Sequence, residues 1–125
     1  IYDLRTDSPK PLVEQLRDQT QNIFSGSEIL VEVNGDASVD SAHKYELLRA
    51  IRELLLNSKR HANASKVIIN LTDHSILISD DGEGGVISKE SSYGIIGVTE
   101  RLTQIGAQLA MNSNPSGTTI EITLP

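Results

Sequence analysis

The chain has 125 residues, a net charge of −6 and no cysteine. This length fits a single domain, and the lack of cysteine excludes a disulfide scaffold, a thiolate zinc site and a cysteine nucleophile. No stretch approaches the roughly 20 consecutive apolar residues of a membrane span. With 11 basic against 17 acidic residues, the sequence offers no cationic face for a phosphate backbone, so we expect no nucleic acid partner.

The first half of the chain predicts a helix, a strand and a longer helix. Ser8, followed by two prolines, is typical of a helix start. Residues 28–33 alternate as a strand that ends at the turn pair Asn34-Gly35. From about Ser41 to His61 the sequence is periodic with helical spacing. The residues expected on its buried face are Leu47, Leu48, Ile51, Leu54, Leu55, Ser58 and Ala62.

The second half predicts two strand pairs around a short helix. The strands are expected at 66–71, 75–79, 107–113 and 118–124. A polar stretch reaching Tyr93 precedes a helix over 97–105, which Gly106 ends in the left-handed conformation. Hairpins mixed with helices indicate an α+β fold, with one mixed, mostly antiparallel sheet and its helices on a single face.

Three polar residues of the long helix form a stripe opposite its apolar face. Glu53, Asn57 and Arg60 are spaced i, i+4 and i+7, so they lie in one line along the helix. A carboxylate, an amide oxygen and a guanidinium in that line suit a metal–phosphate ligand. The alternative is an ordinary solvated helix face with an i, i+4 polar pair.

A glycine-rich acidic segment follows the strand at 75–79. Asp80-Asp81-Gly82-Glu83-Gly84-Gly85 places a carboxylate at the strand end, where it can accept a hydrogen bond from an amino group such as that of adenine. The glycines let the backbone approach a ligand closely. An acidic hairpin turn is the alternative. A calcium-binding EF-hand loop does not fit, because the glutamate at its twelfth position and its flanking helices are missing.

A second glycine pair, Gly94 and Gly97, precedes the predicted helix over 97–105. Free N–H groups at a helix start can hold phosphate, whereas a plain loop closing onto a helix is the alternative. The segment is neither a Walker loop nor a dinucleotide fingerprint.

The order of these segments resembles the Bergerat-type ATPases, and most closely the catalytic ATP-binding domain of bacterial two-component sensor histidine kinases. Residues 52–62 look like the N box of that family, and 80–84 look like its first glycine box. Residues 93–101 look like the second glycine box, and 116–119 like the last Gly-Thr motif. With their flanks, the four motifs cover essentially the whole chain.

The resemblance implies ATP and Mg²⁺ as ligands. Glu53 would be the base or orienting carboxylate, and Asn57 the Mg²⁺ ligand. Arg60 stands where the family often has a phosphate-contacting lysine, which preserves charge but not geometry. His61 follows where an aromatic residue or histidine is usual.

The glycine boxes and the last motif would complete the nucleotide site. Asp80 would accept the adenine amino group, and Thr118 would line the adenine end of the pocket. Gly82 and Gly84 would shape the pocket, and Gly94 and Gly97 would close over the phosphates. Ile96, which precedes Gly97, would also contact the nucleotide.

The resemblance also implies the surroundings of the domain. Residues 1–7 look like the end of a dimerisation helix, although Thr6 stands where a proline is common, and 8–125 form the ATP-binding domain. The short lid at 86–93 resembles the subfamily that pairs with helix-turn-helix response regulators. No segment resembles the phosphoacceptor histidine.

We therefore expect an excised cytoplasmic domain of a membrane-anchored sensor, without membrane contact of its own. It would not autophosphorylate alone. Its partners would be its own dimerisation and phosphoacceptor domain and a downstream response regulator. An anti-sigma-factor-type serine kinase on the same fold and a non-catalytic nucleotide-sensing module are the alternatives.

Overall fold

A computed structural model describes residues 10–61, 63–82 and 89–125. Within them the chain forms three helices and five strands. The helices are α1 (Leu12–Ile23), α2 (Ser41–His61) and α3 (Lys89–Gln104). The strands are β1 (Leu30–Gly35), β2 (Lys66–Leu71), β3 (Ser75–Asp80), β4 (Gln108–Asn114) and β5 (Gly117–Thr123).

The strands form one sheet in the order β1-β2-β3-β5-β4. β1 and β2 are parallel, because α2 carries the chain back between them. The other three pairs are antiparallel, and two of them are tight hairpins. This arrangement confirms the predicted α+β fold with a mixed, mostly antiparallel sheet. The register of β3 and β5 sets Asp80 opposite Thr118 at one end of the sheet.

The core is aliphatic and lies between the sheet and the helices. In β2, β3 and β5 burial alternates as expected of strands with one covered face, and Asp80 and Thr118 at the end of that face are half-buried. The predicted face of α2 is buried at Leu47, Leu48, Ile51, Leu54, Leu55 and Ser58. No described helix is both long enough and apolar enough to cross a bilayer.

Helix α3 begins earlier than the sequence predicted. It starts at Lys89 instead of Gly97, so Gly94 and Gly97 lie inside a helix and not in a loop ahead of it. Each glycine costs about 1 kcal/mol relative to alanine inside a helix. Packing outweighs this cost, because Val98 and Leu102 are buried in the core and α3 lies against α2.

Two other predicted boundaries were wrong. α1 starts at Leu12, and its Val13 N–H donates to the distant Asp36 carboxylate at 3.3 Å, so no local serine cap is needed. β1 runs two residues later than expected, because its parallel register with β2 continues through Gly35.

The predicted helix stop at Gly106 is confirmed. Gly106 has φ +79°, and the amides of Gly106 and Ala107 donate to the carbonyls of Thr103 and Leu102. Both amides therefore bond back into the last turn of α3, as in a Schellman motif.

Candidate functional site

Asp80 is the point at which α2, β3 and β5 meet. Its Oδ1 accepts the backbone N–H of Gly82 at 2.9 Å and that of Thr118 at 3.3 Å. Its Oδ2 accepts the hydroxyl of Ser58 at 3.3 Å. The carboxylate is half-buried, and three donors from three parts of the chain fix its orientation. A fixed acceptor of this kind suits an amino group on a ligand.

Gly117 makes the approach of β5 to Asp80 possible. Its φ is +143°, and a Cβ at this position would lie 2.1 Å from the Asp80 carbonyl oxygen. Only glycine fits this conformation and this contact. The next residue, Thr118, is half-buried, and its Oγ1 lies 3.0 Å from the Ser113 hydroxyl. The predicted Gly-Thr motif therefore brings Thr118 to the same end of the sheet as Asp80.

The neighbouring carboxylate, Asp81, ties the end of β3 to the start of β2. It accepts the Ser65 hydroxyl and the backbone N–H groups of Ser65 and Lys66, the latter two at 2.8 and 2.9 Å. The Ser65 hydroxyl and these amides lower the pKa of Asp81 from 3.8 to about 2. Asp81 therefore holds the backbone beside the site, while Asp80 faces inward toward α2.

The predicted polar stripe is present on α2. Glu53 and Asn57 are half-buried, and Arg60 is exposed. Arg60 Nη2 lies 3.5 Å from Asn57 Oδ1, and Arg60 Nε lies 3.3 Å from the Leu56 carbonyl oxygen. The buried Asn57 Nδ2 makes no hydrogen bond to any residue that the structure describes. Leaving such a donor unsatisfied costs about 1–3 kcal/mol, a cost that an acceptor on a bound ligand would remove.

The stripe fits a magnesium ion that arrives with phosphate groups. In the described ranges, no three His, Cys, Asp or Glu side chains are grouped to hold a metal ion by themselves. Glu53 and Asn57 instead offer oxygen atoms one helical turn apart on a half-buried face. Mg²⁺ commonly uses one or two protein oxygens and takes the rest of its ligands from phosphates and water.

The glycine motifs are only partly described. Gly82 is buried, and its N–H is fixed on Asp80. Gly84 lies outside the described residues. In α3, Ile96 is 54% exposed, and a Cβ on Gly97 would meet no atom within 4 Å. The surface of α3 at these two residues is therefore open.

The remaining predicted positions lie at helical sites. Gly94 is a helical residue of α3, and His61 is the last residue of α2. Because α3 begins at Lys89, the N–H of Gly97 lies within the helix, so the prediction that a helix starts near Gly97 was wrong. Contact of Gly94 and Gly97 with the phosphates stays a prediction.

Sequence reasoning missed two contributors to this site. Ser58 was assigned to the core face of α2, where it is 7% exposed, but its hydroxyl contacts Asp80. A hydroxyl within a stripe of leucines and isoleucines was the available signal, since a buried polar group requires a partner. Ser65, the second, had no comparable signal, because its role depends on the β2–β3 register.

Comparison with known sequences finds sensor histidine kinases. The chain is 33% identical over 120 residues to the nitrate/nitrite sensor protein NarQ of Escherichia coli, covering 90% of the chain and 21% of NarQ. It is 36% identical over 86 residues to the signal transduction histidine-protein kinase/phosphatase DegS of Brevibacillus brevis, covering 63% and 22%. It is 36% identical over 97 residues to the sensor protein VraS of Staphylococcus aureus, covering 72% and 28%. The chain thus spans less than a third of each relative, and no family model matches it.

Comparison with solved structures finds the same fold. The histidine kinase domain of the blue-light activated kinase of Erythrobacter litoralis EL346 superposes with a TM-score of 0.74 at 20% identity. That match covers 100% of this chain and 70% of the other. The cytoplasmic segment of the histidine kinase QseC gives a TM-score of 0.70 at 18% identity, covering 97% and 84%.

Proposed function

Because the chain belongs to the sensor histidine kinase family, we propose that it binds Mg-ATP and donates the γ-phosphoryl group to a histidine of a helical dimerisation domain. A response regulator would then receive the group. The observation that carries the proposal is the fixed Asp80 carboxylate at the end of the sheet, held by donors from α2, from β5 and from Gly82 just after β3. The relatives named above are sensor kinases and lend no support to the serine kinase alternative.

Asp80 would receive the adenine end of the nucleotide. Its Oδ2 has one protein donor among the described residues, so it can accept a further hydrogen bond from the adenine amino group. Thr118 lies opposite Asp80 in the sheet and would line the same end. Gly82, whose amide is fixed on Asp80, would let the chain pass close to the base.

The stripe on α2 would receive the triphosphate. Asn57 would hold Mg²⁺, which when bound neutralises phosphate charge. Arg60 would leave its 3.5 Å contact with Asn57 and pair with a phosphate oxygen. Glu53 would orient the acceptor histidine or take its proton. This division explains how a domain of net charge −6 could bind a polyanion.

Nucleotide titration by calorimetry tests the proposal. We expect micromolar to sub-millimolar ATP binding that strengthens with Mg²⁺, and little binding of GTP. Asp80→Asn should weaken ATP binding at least tenfold, since it replaces a charged acceptor. Asp73→Asn is the matched control, because Asp73 lies in the turn before β3 and accepts the Ser38 amide at 2.9 Å. Equal losses in the two variants would contradict the site assignment.

The role of Glu53 separates catalysis from binding. In a full-length parent kinase, Glu53→Ala should abolish phosphotransfer to the histidine and change ATP affinity by less than about threefold. The reason is that the Glu53 carboxylate acts on the acceptor histidine and not on the nucleotide. Radiolabel transfer and calorimetry on the same variant measure the two effects. Parallel loss of both would assign Glu53 a structural role instead.

A further inference from the structure

Ser58 is a buried hydroxyl on the apolar face of α2. It is 7% exposed, and the neighbouring Leu54 and Leu55 on that face are almost fully buried. A hydroxyl in such surroundings costs free energy unless it is hydrogen-bonded. Its partner is Asp80 Oδ2, at 3.3 Å. Ser58 therefore connects the buried face of α2 to the carboxylate that the proposed function assigns to the base.

The two oxygens of Asp80 differ in what they can still accept. Oδ1 already receives two backbone N–H groups, from Gly82 and Thr118. Oδ2 receives Ser58 alone among the described residues. A carboxylate oxygen accepts about two hydrogen bonds, and 3.3 Å is longer than the ~2.7 Å usual for a hydroxyl and an oxygen acceptor. Oδ2 therefore has an acceptor position left for a donor from outside the protein.

We propose that Ser58 is a positioning residue for base recognition: it holds Asp80 so that Oδ2 faces the amino group of adenine, and it thereby favours adenine over guanine. The inference rests on the proposed ATP site. Adenine carries an amino donor where guanine carries a carbonyl oxygen. A carboxylate fixed from both sides accepts the first and repels the second, because it cannot rotate away.

Removal of the hydroxyl frees one side of the carboxylate. In Ser58→Ala, Oδ1 keeps its two amide donors, but Oδ2 loses its protein partner. Asp80 can then turn about its side-chain bonds, so its hydrogen bond to the adenine amino group weakens. A nucleotide without that amino group has no such bond to lose. The effect of the substitution should therefore depend on the base.

The test measures the affinity of three nucleotides for the 125-residue chain by calorimetry with Mg²⁺. They are ATP, GTP and purine riboside triphosphate, which lacks the amino group. Ser58→Ala should weaken ATP binding about five- to tenfold, change the affinity for purine riboside triphosphate less than twofold, and leave GTP binding unchanged or tighter because the freed carboxylate can turn away from the guanine carbonyl oxygen. Ser58→Cys keeps the side-chain shape with a somewhat larger and weaker donor, so its ATP affinity should lie between those of the unchanged chain and Ser58→Ala.

A second buried hydroxyl provides the matched control. Thr20 is 6% exposed, and its hydroxyl donates to the Arg17 carbonyl oxygen within α1 and not to Asp80. Thr20→Val should leave all three affinities unchanged. If Ser58→Ala lowers the three affinities equally, or lowers none, the positioning role is wrong while the ATP site stands. If the unchanged chain binds none of the three, the proposed function is wrong and this inference with it.

Discussion

Substitution of Gly117 by alanine tests how closely β5 must approach Asp80. A Cβ at Gly117 would lie 2.1 Å from the Asp80 carbonyl oxygen, whereas ordinary van der Waals contact begins at 3.4 Å. The two strands would have to separate by more than 1 Å (3.4 less 2.1). That displacement strains the bond from the Thr118 amide to Asp80, which is 3.3 Å long in the unchanged chain.

The expected cost has two parts. Alanine at φ +143° is strained by about 1–3 kcal/mol. Loss of a hydrogen bond to a charged acceptor adds about 1.5–3 kcal/mol. We therefore expect Gly117→Ala to lower the free energy of unfolding by about 2.5–6 kcal/mol, a large share of the total for a domain of this size. ATP binding should fall with it, because Thr118 and Asp80 both shift.

Gly26→Ala is the matched control in urea denaturation. Gly26 also has a positive φ, +77°, but a Cβ there would meet no atom within 4 Å. Its substitution should cost only the backbone strain, about 1–2 kcal/mol. If the two variants lose equal stability, the close approach of Gly117 to Asp80 is not what requires glycine, and the reasoning fails.

Two further substitutions probe α3 and the hydrogen bonds by which Asp81 ties the end of β3 to the start of β2. Gly97→Ala should raise the free energy of unfolding by about 0.5–1 kcal/mol, because Gly97 is helical with open space around it. The same substitution should weaken ATP binding if this surface of α3 closes over the phosphates. Unchanged or tighter binding in calorimetry would remove Gly97 from the site. Asp81 has a pKa lowered to about 2 from 3.8, so the stability that its charge contributes is complete above about pH 4 and is lost as the pH falls toward 2. Asp81→Asn should therefore have a lower free energy of unfolding than the unchanged chain at pH 6, and the two values should converge near pH 2 in urea denaturation. A constant difference across that range would contradict the stabilising role of the Asp81 carboxylate.

Local sequence predicted the elements whose signals are local. The apolar face of α2, the turn between β2 and β3 and the stop at Gly106 all depend on residues within a few positions of each other, and all are confirmed. The start of α3 was wrong because two glycines indicate a loop by propensity, while packing of Val98 and Leu102 keeps them helical. The end of β1 was wrong because Asn34-Gly35 is a turn signal in hairpins, whereas here it continues a parallel pair.

The residues of the candidate site divide in the same way, into those that local sequence predicts and those that depend on distant contacts. Glu53, Asn57 and Arg60 follow from helical spacing alone. The contacts of Asp80 with Ser58 and Thr118 join residues 22 and 38 positions apart, so only the tertiary register could reveal them. The resemblance named Asp80 and Thr118 but not Ser58.

Asn57 and Ser58 are adjacent in sequence and belong to opposite parts of the proposed site. Successive side chains of a helix diverge by about 100°, so Asn57 lies on the polar stripe with Arg60, while Ser58 faces Asp80 from the buried side. One turn of α2 thus holds both Ser58, which contacts the proposed base acceptor Asp80, and Asn57 of the proposed phosphate-binding stripe, and the rigidity of the helix fixes the separation between the two side chains. A one-residue insertion in this turn would rotate either Asn57 or Ser58 out of place. We therefore expect such an insertion to abolish ATP binding more completely than Ser58→Ala or Arg60→Ala, each of which removes a contact at one end only.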